Sequence, residues 1–112
     1  MAGFRPTTLT IHPEVQEDYD ALEAAAKAGR DPGKAIWKSF QTCVARVRAD
    51  GQYGEVVPCI ARFRKKYDAR NLYCLDLADW WRCFYTIVGR DVVFVDVVDH
   101  KQYDKWFPNK GK

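Results

Sequence analysis

The run Asn71-Leu72-Tyr73-Cys74-Leu75-Asp76-Leu77-Ala78-Asp79-Trp80-Trp81-Arg82-Cys83-Phe84-Tyr85-Thr86-Ile87-Val88-Gly89-Arg90-Asp91-Val92-Val93-Phe94-Val95-Asp96-Val97-Val98 decides the fold. It holds three segments with a period of two, Asn71 to Ala78, Trp81 to Val88 and Asp91 to Val98, rich in the β-branched and aromatic side chains that suit a pleated surface. The turn signals Ala78-Asp79 and Gly89-Arg90 separate them, and connectors this short force antiparallel neighbours. A three-strand meander follows. Each strand is apolar on both faces (Leu72 and Leu75, Trp81 and Phe84, Val93 and Phe94), so part of the second face of the sheet must also be covered.

Before the meander, Thr7-Thr8-Leu9-Thr10-Ile11 reads as a further strand, and His12 sits where a helix begins. Pro13 fits a first helical position, Glu14, Glu17 and Asp18 suit the positive end of the helix dipole, and Val15, Tyr19, Leu22 and Ala26 repeat at helical spacing over about 13–28. Gly29-Arg30-Asp31-Pro32 breaks that pattern, with Asp31 as N-cap and Pro32 as first residue of a second helix. Its stripe is Ile36, Phe40, Val44 and Val47, and Asp50-Gly51 stops it. Residues 52–70 show no sustained period and read as loop, with a short strand near 58–64. After the meander, His100 to Phe107 makes a helical turn that ends before Pro108, and Asn109-Lys110-Gly111-Lys112 frays. Strand, helical hairpin and meander in this order predict one α+β domain over residues 1–112, with the hairpin packed on a mainly antiparallel sheet.

The chain has 112 residues, of which 47% are hydrophobic and 14% aromatic, enough apolar area for one core and too much for a disordered chain of net charge +3. Its apolar runs end after a few residues, far short of the roughly 20 a membrane span needs, and Met1 to Thr8 shows no basic head followed by an apolar stretch. A cytoplasmic location without membrane contact is the expectation. Cys43, Cys59, Cys74 and Cys83 lack paired spacing and read as reduced thiols rather than zinc ligands. No Walker loop, His-Glu-x-x-His or Gly-x-Ser-x-Gly occurs, so no cofactor, metal or small-molecule ligand is expected. Charge is uneven: residues 1–56 hold 7 Lys/Arg against 8 Asp/Glu, and residues 57–112 hold 11 against 7. A basic half, with Arg62, Arg64, Lys65 and Lys66 clustered in it, suits a polyanionic partner and offers a surface for tracking RNA phosphates.

Taken singly, the polar residues near the meander have plain structural readings: Arg82 pairs with an acid such as Asp96, His100 is a satisfied loop histidine, and Trp106 and Phe107 plug the end of the sheet. Taken together, Trp81-Arg82-Cys83-Phe84-Tyr85-Thr86-Ile87, Asp91 to Val98 and Asp99-His100-Lys101-Gln102-Tyr103-Asp104-Lys105-Trp106-Phe107 resemble the C-terminal signature of the RelE/ParE toxin superfamily. That signature is an Arg heading an aromatic-rich strand, a turn, an apolar strand, then a basic or His residue with a Tyr a few positions later. The similarity in element order covers residues 7–107, and its specific part covers about 71–107.

The resemblance implies a toxin of a type II toxin–antitoxin pair. For the RelE branch it implies an mRNA interferase, an endoribonuclease that cuts messenger RNA on the ribosome and so inhibits translation. The RNA 2′-hydroxyl is the nucleophile in that chemistry, and no metal takes part. Arg82 matches the strand arginine that clamps the phosphate. His100 and Lys101 fall where the family carries its basic residue. Histidine, whose ordinary pKa is about 6.5, suits proton transfer, and lysine suits charge stabilisation. Tyr103 matches the later tyrosine, which stacks on a base or orients a proton. A cognate antitoxin is then the protein partner, and ribosome and mRNA are the targets. One departure stands out. The first meander strand of a typical RelE carries lysines that serve the reaction, whereas here it reads Tyr73-Cys74-Leu75-Asp76-Leu77. Three readings stay open: Asp76 acts as base, Arg62 to Lys66 replace the missing cations, or cleavage is lost. Loss of cleavage leaves a ParE-like gyrase inhibitor or another non-catalytic binder on the same fold.

Overall fold

The computed structural model describes residues 3–108, so the expected fraying of Asn109 to Lys112 lies outside the described residues. The chain runs β1 (Thr8–Ile11), α1 (Gln16–Lys27), α2 (Gly33–Ala49), β2 (Glu55–Val56), α3 (Ala61–Tyr67), β3 (Tyr73–Asp76), β4 (Arg82–Val88), β5 (Asp91–Val98) and α4 (His100–Trp106). Single 3-10 turns at Pro13–Val15 and Ala78–Trp80 precede α1 and β4. It is an α+β arrangement around one mixed sheet of order β1-β5-β4-β3-β2. The pairs from β2 to β5 are antiparallel, and β1 lies parallel to β5, with Leu9 opposite Val92.

The helical hairpin covers one face of the sheet. Tyr19, Leu22, Ile36, Phe40 and Val47 are buried there. Phe40 meets Tyr19 at 5.0 Å and Phe94 at 5.2 Å between ring centroids. Tyr19 donates its hydroxyl proton to the Val95 carbonyl at 2.7 Å, which ties α1 to β5. At the start of α1, His12 Nδ1 accepts from the Glu14 amide, as expected of a helix-start residue. The expected N-cap shifts by one residue: α2 begins at Gly33 with Pro32 as its N-cap, and Asp31, one position earlier, accepts from the Ala35 amide at 3.2 Å.

The second face is covered by α3 and α4. The sequence reading of 52–70 as loop with a strand near 58–64 is corrected here: the strand is the two-residue β2 at 55–56, and 61–67 is helical. Seven residues give only one apolar pair at helical spacing, Phe63 and Tyr67, but those two are buried and anchor α3 against Phe84. Phe84 is fully buried, with ring contacts to Phe63 (5.1 Å), Phe107 (5.7 Å), Tyr103 (6.1 Å) and Trp106 (6.2 Å). The expected plugs, Trp106 and Phe107, do seal this layer.

A bulge in β5 decides which face its last residues address. Between the pairs Tyr85–Phe94 and Cys83–Val97, β4 advances two residues while β5 advances three. Val95 and Asp96 together oppose Phe84, and the alternation flips beyond them. Asp96 therefore meets α3, not the hairpin. Its carboxylate accepts from Arg62 Nε at 3.2 Å, Arg62 Nη2 at 3.4 Å and the Tyr67 hydroxyl at 2.9 Å.

Burial raises the pKa of Tyr19, Cys83 and Tyr85 above the ordinary values of 10.0, 9.0 and 10.0. Each must stay protonated in the folded state and is free to ionise when unfolded. Their contribution is complete below about pH 8; it is lost as pH rises, first through Cys83 and then through the two tyrosines, each approaching about 1.4 kcal/mol per pH unit above its unfolded-state value. The urea midpoint is expected to hold from about pH 6 to 8 and to fall steeply by about pH 10.5. A midpoint unchanged at pH 10.5 would contradict the burial of these three side chains.

Candidate functional site

Arg82 opens β4 and Val98, its registered partner, closes β5, so Asp99, His100 and Lys101 follow at the same edge of the sheet. Asp99 caps α4 by accepting from the Gln102 amide at 3.0 Å. The cap sets the helix so that Tyr103 lies back over the strand. The Arg82 guanidinium stands over the Tyr103 ring, 4.9 Å from its centroid, and Tyr103 rests in turn against Phe84 and Phe107. Two of the four residues predicted for catalysis, Arg82 and Tyr103, are thus in contact. His100 and Lys101 lie exposed in the first turn of α4.

The expected partnership of Arg82 with Asp96 is replaced. Arg82 Nε pairs with Asp76 Oδ1 at 3.0 Å, because Asp76 of β3 stands directly opposite Arg82 in register. The bulge has meanwhile handed Asp96 to Arg62. The Asp76 side chain is 80% exposed, so this carboxylate faces water beside the guanidinium. The side chain that the first meander strand presents beside Arg82 is thus a carboxylate.

An open recess of about 300 Å³ adjoins this pair, lined by Asp76, Leu77, Asp79, Trp80 and Arg82. His100 is not among its lining residues. Its far wall is the connector between β3 and β4, where Asp79 and Trp80 both take positive φ values, 59° and 64°. The connector is pinned on two sides: the Leu77 amide donates to the Trp81 carbonyl at 2.8 Å, and the Ala78 amide donates to Ser39 Oγ of α2 at 2.9 Å. The sequence reading takes Ala78-Asp79 as a turn and gives Trp80 no role. The available signal was a bulky aromatic in a tight connector without glycine, next to the strand arginine.

The basic cluster lies on α3, and its members differ. Arg62 is committed to Asp96 and stacks on Trp106 at 4.3 Å. Arg64 donates to the Cys59 carbonyl. Lys66 lies 5.4 Å from the Tyr67 ring centroid, and Lys65 is exposed. Burial first and then the nearby Asp96 charge hold the Tyr67 hydroxyl well above its usual pKa, so it donates to that carboxylate. Among the described residues Arg62 is the one of the four in an ion pair; Arg64 is held by a backbone carbonyl, which leaves the Lys65 and Lys66 ammonium groups for a partner.

All four cysteines are thiols, with Cys74 and Cys83 buried. Among the described residues, no three His, Cys, Asp or Glu side chains converge as metal ligands do, and no helix is long and apolar enough to cross a membrane. Chemically, the edge offers a cation held flat on an aromatic ring, a solvent-facing carboxylate in contact with it, and an imidazole and an ammonium one helical turn away from that ring. Neither a protein-family model, nor a curated protein, nor a solved structure matches the chain.

Proposed function

We propose that the protein is a RelE/ParE-type toxin of a type II toxin–antitoxin pair, acting in the cytoplasm as a ribosome-dependent mRNA endoribonuclease. The observation that carries this reading is the Asp76–Arg82–Tyr103 contact at the solvent-reachable edge of the sheet. A guanidinium beside a water-facing carboxylate, with the buried Tyr103 ring beneath it, supports a phosphate-binding role for Arg82 and a proton-accepting one for Asp76. The arrangement of a helical hairpin on a meander, with the first strand added parallel to the last, adds support.

In this reaction the RNA 2′-oxygen forms a bond to the adjacent phosphorus while the bond from phosphorus to the 5′-oxygen breaks. The products are a 2′,3′-cyclic phosphate and a 5′-hydroxyl. One group takes the 2′-hydroxyl proton and another delivers a proton to the departing 5′-oxygen. Asp76 and His100 fill those two roles, and Arg82 and Lys101 stabilise the charge that builds on the phosphoryl oxygens. A cognate antitoxin covers the basic C-terminal half when the toxin is held inactive.

The test is to incubate the folded, antitoxin-free protein with ribosomes carrying a programmed message and to map the 5′ ends. New ends confined to the decoding site are expected, and their absence counts against the nuclease. A second reading has its own observation: Arg82 is already neutralised by Asp76, and no strand lysines assist it. A non-catalytic binder, such as an inhibitor of DNA gyrase, would then stop supercoiling without producing RNA ends. On the nuclease reading, Lys65→Glu combined with Lys66→Glu lowers the salt dependence of RNA binding. The slope of log K against log salt should shrink by about 1.4, the value for two phosphate contacts to a single strand. An unchanged slope in a titration from low to moderate salt would remove α3 from the RNA path.

A further inference from the structure

At 71% exposure, Trp80 is the most exposed large hydrophobic side chain among the described residues, and its backbone sits at φ 64°. For a bulky L-residue that region is strained, and glycine would occupy it without penalty. Asp79 tolerates the conformation far better than a tryptophan does. The strain at Trp80 is not offset by burying its ring. It persists because Ser39 and Trp81 hold the connector in place. An apolar surface kept in water at a conformational cost points to a ligand that covers it. Beside the ring stand Arg82, the candidate phosphate clamp, and Asp79, whose exposed carboxylate has no hydrogen-bond or ion-pair partner among the described residues.

We infer that Trp80 and Asp79 form a nucleobase subsite in which a guanine of single-stranded RNA stacks on the indole and is read by the Asp79 carboxylate. The inference rests on the reading of the chain as an RNA-acting protein and names the base it prefers. Every base has a face that stacks on an aromatic ring, so Trp80 supplies affinity without choice. Choice comes from Asp79, because an ionised carboxylate only accepts hydrogen bonds. The Watson–Crick edge of guanine presents two neighbouring donors, the ring N1–H and the exocyclic amino group, which match two carboxylate oxygens. Adenine and cytosine place one amino group beside a ring nitrogen lone pair. Uracil flanks its single N–H with two carbonyl oxygens. Each of those three edges sets a lone pair against the carboxylate.

The experiment uses the full chain and four single-stranded pentanucleotides that differ only in the central base. All are 2′-O-methylated, so no nucleophile is present and binding is read apart from cleavage. The guanine pentamer is expected to bind about tenfold more tightly than the other three, in line with what one bidentate base contact contributes. Asp79→Asn should bring the four within about twofold of one another. Trp80→Ala should weaken all four about tenfold, within the range of one lost stacking contact. Trp80→Gly should weaken binding equally and yet raise Tm, because it relieves the backbone at an exposed position. Equal binding of the four pentamers by the wild type, undiminished binding by Trp80→Ala, or a lower Tm for Trp80→Gly would each overturn the subsite. New RNA ends on ribosomes together with equal pentamer binding would sink the subsite and leave the nuclease standing. Guanine-selective binding without ribosomal cuts would do the reverse.

Discussion

Arg82→Ala is expected to lower ribosome-dependent cleavage by about 10²- to 10³-fold, the usual cost of deleting one group that meets charge developing in a transition state. Stability should change little. The ion pair that Arg82 makes is with an exposed carboxylate, worth about 0–1 kcal/mol, and its stacking on Tyr103 adds about 0.5–1 kcal/mol. A loss of about 1 kcal/mol corresponds to a Tm lower by roughly 4 °C in a domain of this size. Asp76→Asn separates the two possible jobs of the neighbouring carboxylate. If Asp76 accepts the 2′-hydroxyl proton, cutting falls while RNA binding holds. If it serves only to neutralise Arg82, freeing the guanidinium tightens RNA binding and cutting does not fall. Single-turnover cleavage on programmed ribosomes, paired with filter binding of an uncleavable message, reads both quantities. A stable Arg82→Ala protein that cuts at the wild-type rate removes Arg82 from the reaction.

Phe84→Ala is expected to cost about 3–5 kcal/mol, a large share of the roughly 5–15 kcal/mol that holds a domain of this kind together. Phe84 is fully buried, and its ring touches residues of α3, of α4 and of the segment just after it. Urea unfolding measures the loss, and a change below about 1 kcal/mol would contradict the packing of this second layer. The same variant should also cut poorly, because Tyr103 leans on Phe84 and Arg82 leans on Tyr103. Phe40→Ala on the opposite face should destabilise comparably but leave the cleavage rate of the folded fraction unchanged.

Where a repeating pattern was long enough to identify itself, the sequence was legible. Residues 13–28 and 33–49 each show four or more turns' worth of helical spacing or a capped apolar stripe, and 71–98 alternates over three strands with clear turns. The helix at 61–67 was not legible because two apolar residues among four cations carry no usable period, and tertiary contact with Phe84 is what stabilises it. The partner of Arg82 was misassigned for a different reason. Alternation counts residues evenly, and one extra residue in β5 moves Asp96 to the other face without leaving a mark in composition. At the site, the residues tied to the strand ends, Arg82 and Tyr103, were predicted together and are together. The Asp79-Trp80 connector went unrecognised because its positive φ values sit on residue types that do not advertise them.

The bulge at Val95 and Asp96 also gives the second layer its one buried carboxylate, Asp96. Up to Phe94, β5 addresses the hairpin, which is a large layer with long helices. Past the bulge Asp96 meets α3, while Val97, opposite Cys83, returns to the hairpin face; α3 and α4 have seven residues each, too short to persist in water on their own. Those two helices share one aromatic cluster around Phe84, so amide exchange in 61–67 and 100–106 is expected to report one common opening energy, below that of the hairpin and the central strands. Detachment takes Tyr103, His100 and Lys101 away from Arg82. On the nuclease reading, such an opening would stop cleavage with nothing bound in the site, and the cleavage rate would follow the stability of the α3–α4 layer.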